Sequence, residues 1–294
     1  MPRYVFVVTY GRSGSTLTQG LLNTMPGALV RGENDFYILH LYRAWAGVRR
    51  FRRQYAAGAA KQGAKSAFYG LDEIKPDDFV DSARELVLKE LHGSSERSDL
   101  ELLGFKEVLW HRIRPKETGS FFEFFERIFP DALYVLHRRD LGQVSTSGFW
   151  RRQDPSEVDR SLHRVEEIQE YLQETRPERT VETQYERYIS SDPDVVEKEL
   201  RTLAEFVTGE CDDTLLANLK QTMTVGHGPN PFGKSRNRPV RQARNKGGKG
   251  RKSAQGGKRG LRSKVVARLP QSLRSGLVRI RSGVRRWVPR QKTK

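Results

Sequence analysis

The chain has 294 residues, of which 53 are Lys or Arg and 36 are Asp or Glu, for a formal charge of +17. That length can bury a sizeable core in one large domain or two small ones. The single cysteine, Cys211, excludes an intrachain disulfide framework and a thiolate metal cluster.

No apolar run approaches the roughly 18 residues of a membrane span, and the first apolar run is too short for a signal peptide. A cytoplasmic location is expected. The mean charge hides a division. Residues 234–294 hold 22 of the basic residues and no acidic one, which leaves 31 basic and 36 acidic residues in 1–233. A near-neutral body is followed by a strongly basic tail.

In chain order, strand-like apolar runs lie at 4–9, 27–30, 100–108, 132–138 and 180–185. Helical patterns separate them. Leu17, Leu21 and Leu22 form the first, and residues 36–53 the second. Residues 75–91 open on a proline at an N-terminal position. The aromatic stripe at 121–129 predicts a packed helix, and a further helix is expected to begin around Leu141 and to carry Ser147. Residues 158–173 are long and amphipathic, and 192–207 again have a proline near the start.

Strands alternating with helices predict an α/β fold: a doubly wound, mostly parallel sheet of about five strands with helices on both faces. Such sheets bind ligands outside the carboxyl ends of their strands. The expected divisions are an α/β domain over 1–233, a basic Gly-rich linker over 234–260 and a basic amphipathic tail over 261–294.

The first run leads into "TYGRSGST", residues 9–16, and then into a helical pattern. Gly11 and Gly14 permit a tight turn whose amides converge. Ser13, Ser15 and Thr16 add hydroxyls, Arg12 adds a full charge, and the following helix points its positive end at the same place. A phosphate loop of the G-x-x-x-x-G-K-[ST] type needs a lysine after the second glycine. Ser15 stands there instead, which disfavours an ATPase, GTPase or kinase. A helix-capping turn is the bland alternative. The fourth run ends in "LHRRDLGQVSTS", where Arg139 and Ser147 stand eight residues apart. A guanidinium and a hydroxyl so placed suit a second phosphate beside the first, and a surface basic pair with Asp140 as helix cap is the other reading.

These two motifs resemble the sulfotransferase family, whose donor is 3′-phosphoadenosine 5′-phosphosulfate. "GRSGST" is similar to the family's 5′-phosphosulfate loop, and Arg139 with Ser147 to its 3′-phosphate pair. "QYERYISSDPDVVEKELRTLAEFV" resembles the segment that helps close the adenine pocket and offers Tyr185 as an adenine contact. The resemblance covers about residues 4–235 and implies a P-loop-like nucleotide site. It also implies that the donor contacts are Gly11, Arg12, Ser13, Gly14, Ser15, Thr16, Arg139, Ser147 and Tyr185. A basic loop at 227–239 would supply Lys234, Ser235 or Arg236, although it departs from the family's arginine-lysine-glycine pattern.

Sulfuryl transfer, like phosphoryl transfer, needs a base for the acceptor and charge stabilisation for the transferred and leaving groups. The resemblance implies Glu33, in "RGENDF", as the base: members that act on tyrosine or on glycans often carry a Gly-Glu here, and in the tyrosine-modifying ones this Glu is taken as the base. Lys106 is the implied cation near the reacting oxygens, with Arg12. Small-molecule members carry a histidine two residues after that lysine, where this chain has Val108. His111 is a weaker candidate and Glu107 a reserve base. The remaining histidines, His137 among them, lack ligand spacing, and no metal is expected. The hydroxyl acceptor is expected to be a glycan or lipid-linked glycan.

Arg49, Arg50, Arg52 and Arg53 read as a solvated helix face, with attraction of an acidic acceptor as the alternative. In the tail, apolar positions from Leu261 to Val288 recur at steps of three and four among arginines. This pattern predicts a helix on an anionic membrane surface over 261–288, peripheral to the inner face, in preference to nucleic-acid binding. The rival to an enzyme is a non-catalytic membrane- or polyanion-binding protein that retains a nucleotide-like fold.

Overall fold

The structure, a computed structural model, describes residues 2–94 and 99–225. Lys234, the 227–239 loop, the linker and the basic segment 261–288 lie outside the described residues. Among the described residues no helix is long and apolar enough to cross a membrane.

Five strands form one sheet: β1 (Arg3–Val8), β2 (Ala28–Arg31), β3 (Leu102–Glu107), β4 (Leu133–Arg138) and β5 (Thr180–Gln184). Their order is β2-β3-β1-β4-β5, and every neighbouring pair is parallel. All five fall within a residue or two of the apolar runs. The central strands are legible because parallel strands covered on both faces must be apolar on both faces. Five of the six residues of β1 and all six of β3 are buried.

The helices are α1 (Ser15–Leu22), α2 (Tyr37–Gln62), α3 (Pro76–His92), α4 (Thr118–Ile128), α5 (Leu141–Ser145), α6 (Pro155–Thr175), α7 (Tyr185–Tyr188), α8 (Pro193–Thr208) and α9 (Asp213–Val225). Strand order dictates how they divide. Only the β1–β2 crossover runs leftward in the order given above. Right-handed connections therefore place α1 on one face, and the helices of the rightward crossovers on the other.

The core follows that rule. Leu21 and Leu22 of α1 cluster with Val5 and Val7, beneath Leu200 and Leu203 of α8 and Leu219 of α9. Phe6 and Val8 face the larger cluster, with Trp45, Val87, Phe121, Phe122, Phe125 and Leu172 from α2, α3, α4 and α6. The expected aromatic stripe is buried here. Phe6 meets Phe125 edge-on at 4.7 Å and Phe105 at 4.8 Å.

The helix starts obey local chemistry. Asp154 and Asp192 each precede a proline and accept first-turn amides of α6 and α8 through their carboxylates. α5 is shorter than the sequence suggests. It ends at Ser145, so Ser147 lies beyond it in a turn rather than on it. The Thr146 hydroxyl bonds back to the Gly142 carbonyl, and Gly148 turns the chain at φ +58°.

Candidate active site

At the carboxyl edge of the sheet the chain leaves β1 in one direction and β2, β3 and β4 in the other. The strand ends there need partners for their carbonyls. Trp110 Nε1 donates to the Glu107 carbonyl at 2.9 Å, and Gln169 Nε2 to that of Val8 at 2.8 Å. Thr9 Oγ1 lies 2.8 Å from the His137 carbonyl oxygen. These buried contacts fix where each loop starts.

Residues 10–14 are then held from behind by their carbonyls. Trp150 Nε1 donates to Gly11 O at 2.8 Å, Arg139 Nη1 to Arg12 O at 3.0 Å, and His137 Nε2 to Ser13 O at 3.1 Å. Because a carbonyl only accepts, Nε2 carries the proton, and Nδ1 accepts from the Thr183 hydroxyl at 3.0 Å. Burial pushes His137 down to about 4, so the ring is neutral. Arg12 takes a left-handed backbone, φ 71°. Gly14 is the N-cap of α1 at φ 88° and offers no capping side chain, which leaves the positive end of that helix for a ligand.

A cleft of about 410 Å³ opens over this loop. Gly11, Arg12, Gly14, Ser15, Thr16, Glu33, Lys106, Arg139 and Tyr185 all line it. The loop, Glu33, Lys106, Arg139 and Tyr185 thus meet at one edge, drawn from the ends of four strands and the start of α7. Tyr185 lies so close that a Cβ on Gly14 would come within 2.2 Å of its ring. The Arg139 guanidinium stacks on the same ring at 4.4 Å. The buried Arg139 Nε has no hydrogen-bond partner among the described residues, a donor that suits an anionic guest. Lys106, buried, meets the half-exposed Glu33 at 2.5 Å.

Three expected residues are placed differently. Ser13 is fully buried, and its Oγ accepts the Ser15 amide at 3.3 Å and lies 2.9 Å from Thr9 Oγ1. Its hydroxyl braces the turn and does not line the cleft. Ser147 does not line the cleft either, and its Oγ accepts from Arg12 Nε at 3.2 Å. Glu107, the reserve base, has no exposure. One carboxylate oxygen accepts the Asn34 and Phe36 amides at 3.2 and 3.0 Å, and the other those of Val108 and Leu109 at 2.7 and 3.1 Å. A carboxylate so saturated is a clamp.

His111 is half-buried beside Trp150, burial lowers its pKa, and it is not a lining residue of the cleft. The sequence reading missed Phe149, which lines the cleft, and Trp150, which holds Gly11. Their only signal was an aromatic pair just after the fourth-strand motif. No cluster of His, Cys, Asp and Glu suited to a metal occurs among the described residues.

The fold and this edge define an α/β protein in which a loop and an uncapped helix start open on a cleft beside a carboxylate–lysine pair. The sulfotransferase family model matches residues 2–208, and the chain belongs to that family. Its members transfer sulfuryl groups and generally take them from 3′-phosphoadenosine 5′-phosphosulfate. Among solved structures, the chain is similar to the sulfotransferase domain of the Synechococcus PCC 7002 olefin synthase. The two share 17% identity over 80% of this chain and 82% of that one, with a TM-score of 0.41. No curated protein matches it significantly.

Proposed function

We propose that the protein transfers a sulfuryl group from 3′-phosphoadenosine 5′-phosphosulfate to a hydroxyl acceptor. One observation carries this reading: Glu33 and Lys106 line the same cleft as the anion-cradling loop, Arg139 and Tyr185. The donor fits the residues present. Gly14, Ser15 and Thr16 with Arg12 would hold its 5′ end, the unpartnered Arg139 Nε would face its 3′-phosphate, and Tyr185 would pack on its adenine.

The donor supplies a sulfur–oxygen bond with a phosphate leaving group. Glu33 takes the proton of the acceptor hydroxyl as that oxygen bonds to sulfur, and the bond to the leaving phosphate breaks. Lys106 and Arg12 balance the charge on the sulfuryl and leaving oxygens. Lys234 is proposed to close over the donor from outside the described residues. A glycan or lipid-linked glycan is the acceptor we favour, with the basic segment 261–288 bringing the enzyme to an anionic bilayer at the inner face of the membrane.

The test is calorimetry with 3′-phosphoadenosine 5′-phosphate against AMP and ATP, alongside turnover on an acceptor panel. We predict selective binding that weakens at least tenfold in Arg139→Ala. Glu33→Gln should lose a hundredfold or more of turnover while its affinity for the nucleotide changes less than twofold. No preference over AMP would refute the donor assignment and favour a non-catalytic polyanion-binding protein.

A further inference from the structure

The inward stripe of α2 changes character partway along its length. Ile38, Tyr42 and Trp45 are buried at steps of four and three. They pack on α4, with Tyr42 5.4 Å from Phe121 and Trp45 5.1 Å from Phe124. Continuing the same steps reaches Arg49, then Arg52 and Arg53. These side chains continue the line of the buried stripe beyond the last core aromatic of that stripe, and all three are exposed.

Space is left for them. A groove of about 610 Å³ is lined by Arg49, Arg50, Arg52 and Arg53, with Trp45 and the Ser120–Glu123 face of α4 also contributing. The lining thus holds four arginines and a single carboxylate, Glu123. Arg49 meets that carboxylate at 3.3 Å and stacks on Trp45 at 4.4 Å. Arg52 reaches the Asp72 carbonyl at 3.4 Å. Arg50 and Arg53 have no hydrogen bond or ion pair among the described residues and are exposed.

Like charges three and four apart on a helix repel, and here the pairs 49–52, 49–53 and 50–53 all do so. A concave site with unspent positive charge, built from planar forks that match oxyanions bidentately, is suited to an anion.

We propose that this groove is a second anion site, distinct from the cleft, for a ligand presenting at least two phosphate, sulfate or carboxylate groups. Arg49 lies 12 residues after Tyr37, about 18 Å along the helix axis, and none of the groove residues lines the cleft. The basic tail cannot be the occupant, because residues 234–294 contain no acidic residue. The site stands on its own geometry and does not depend on the donor chemistry.

The test is arginine footprinting of the full chain with phenylglyoxal, read by mass spectrometry at each arginine. This separates the groove from the tail and the cleft. Pyrophosphate and a sulfated tetrasaccharide are the two probes, with sodium chloride at matched ionic strength as control. At least one probe should slow modification of Arg50 and Arg53 fivefold or more where chloride does not. In the Arg50→Gln/Arg53→Gln variant, protection of Arg49 and Arg52 should need at least tenfold more of that probe, with protection of Arg12 unchanged. Both replaced residues are exposed and unpaired, so the variant keeps the fold. Stronger protection by the tetrasaccharide assigns the site to a sulfated chain, and stronger protection by pyrophosphate assigns it to a phosphorylated ligand. Equal modification of Arg50 and Arg53 with and without both probes would overturn the site.

Discussion

His137 shows how one side chain can tie the candidate site to stability. Its ring sits on the α1 face of β4, donates to the Ser13 carbonyl and accepts from Thr183, with no exposure. Burial lowers it to about 4, with Arg139 adding to the shift, whereas an unfolded histidine titrates near 6.5. The unfolded chain therefore binds more protons than the folded one between these values. The stabilisation is complete above pH 6.5 and is lost as pH falls toward 4.

We predict that urea unfolding at pH 5 reports about 2 kcal/mol less stability than at pH 7.5 from this residue. His111, also lowered by burial, contributes in the same direction. In His137→Gln, which retains a donor for Ser13, that part of the pH difference should vanish. An unchanged difference in the variant would show that His137 is not its source. Placing this ring required the fold, because "LHRR" gives no sign that the histidine reaches back 124 positions to the loop.

At the scale of elements, Glu107 joins two loops that bring Glu33 and Lys106 together. It lies at the end of β3 and accepts amides from residues 34 and 36 after β2 as well as from 108 and 109. It holds a turn in which Asp35 and Phe36 both have positive φ, 56° and 53°, a conformation that costs energy for residues other than glycine. Glu107→Gln replaces one acceptor oxygen with a donor, so one buried and one partly buried amide lose their partner. A destabilisation of about 2–4 kcal/mol is expected from denaturant midpoints, with turnover falling more than donor affinity, because Glu33 loses its fixed position. Equal stability to the parent would contradict the clamp.

What could be read in advance divides along the same line. The strands were legible because burial on both faces forces contiguous apolar runs, and the loop after β1 because its glycines and hydroxyls are adjacent in sequence. Glu107 and Ser147 were not, since Ser147 bonds to Arg12 135 positions away and Glu107 joins its own loop to one 71 or more positions away. A five-residue α5 ending in back-bonded hydroxyls also breaks the helical spacing that placed Ser147 on it.

For the whole molecule, charge is the organising quantity. Residues 1–233 are close to neutral, whereas 234–294 carry 22 basic residues and one aromatic, Trp287. A polybasic segment near an anionic bilayer gains about 1 kcal/mol per basic residue. A third of these residues engaged would thus give micromolar binding or tighter before any apolar insertion. The attraction is screened over about 10 Å at 0.1 M salt and about 3 Å at 1 M.

We therefore predict that the full chain co-sediments with phosphatidylserine-containing vesicles at 0.1 M salt and is released by about 1 M. It should leave purely zwitterionic vesicles unbound, and a chain ending at residue 237 should lose the binding. Single-stranded oligonucleotides of equal charge should bind more weakly, because one tryptophan offers little stacking. Tighter oligonucleotide binding, or equal binding to zwitterionic vesicles, would rule out the bilayer as the preferred surface.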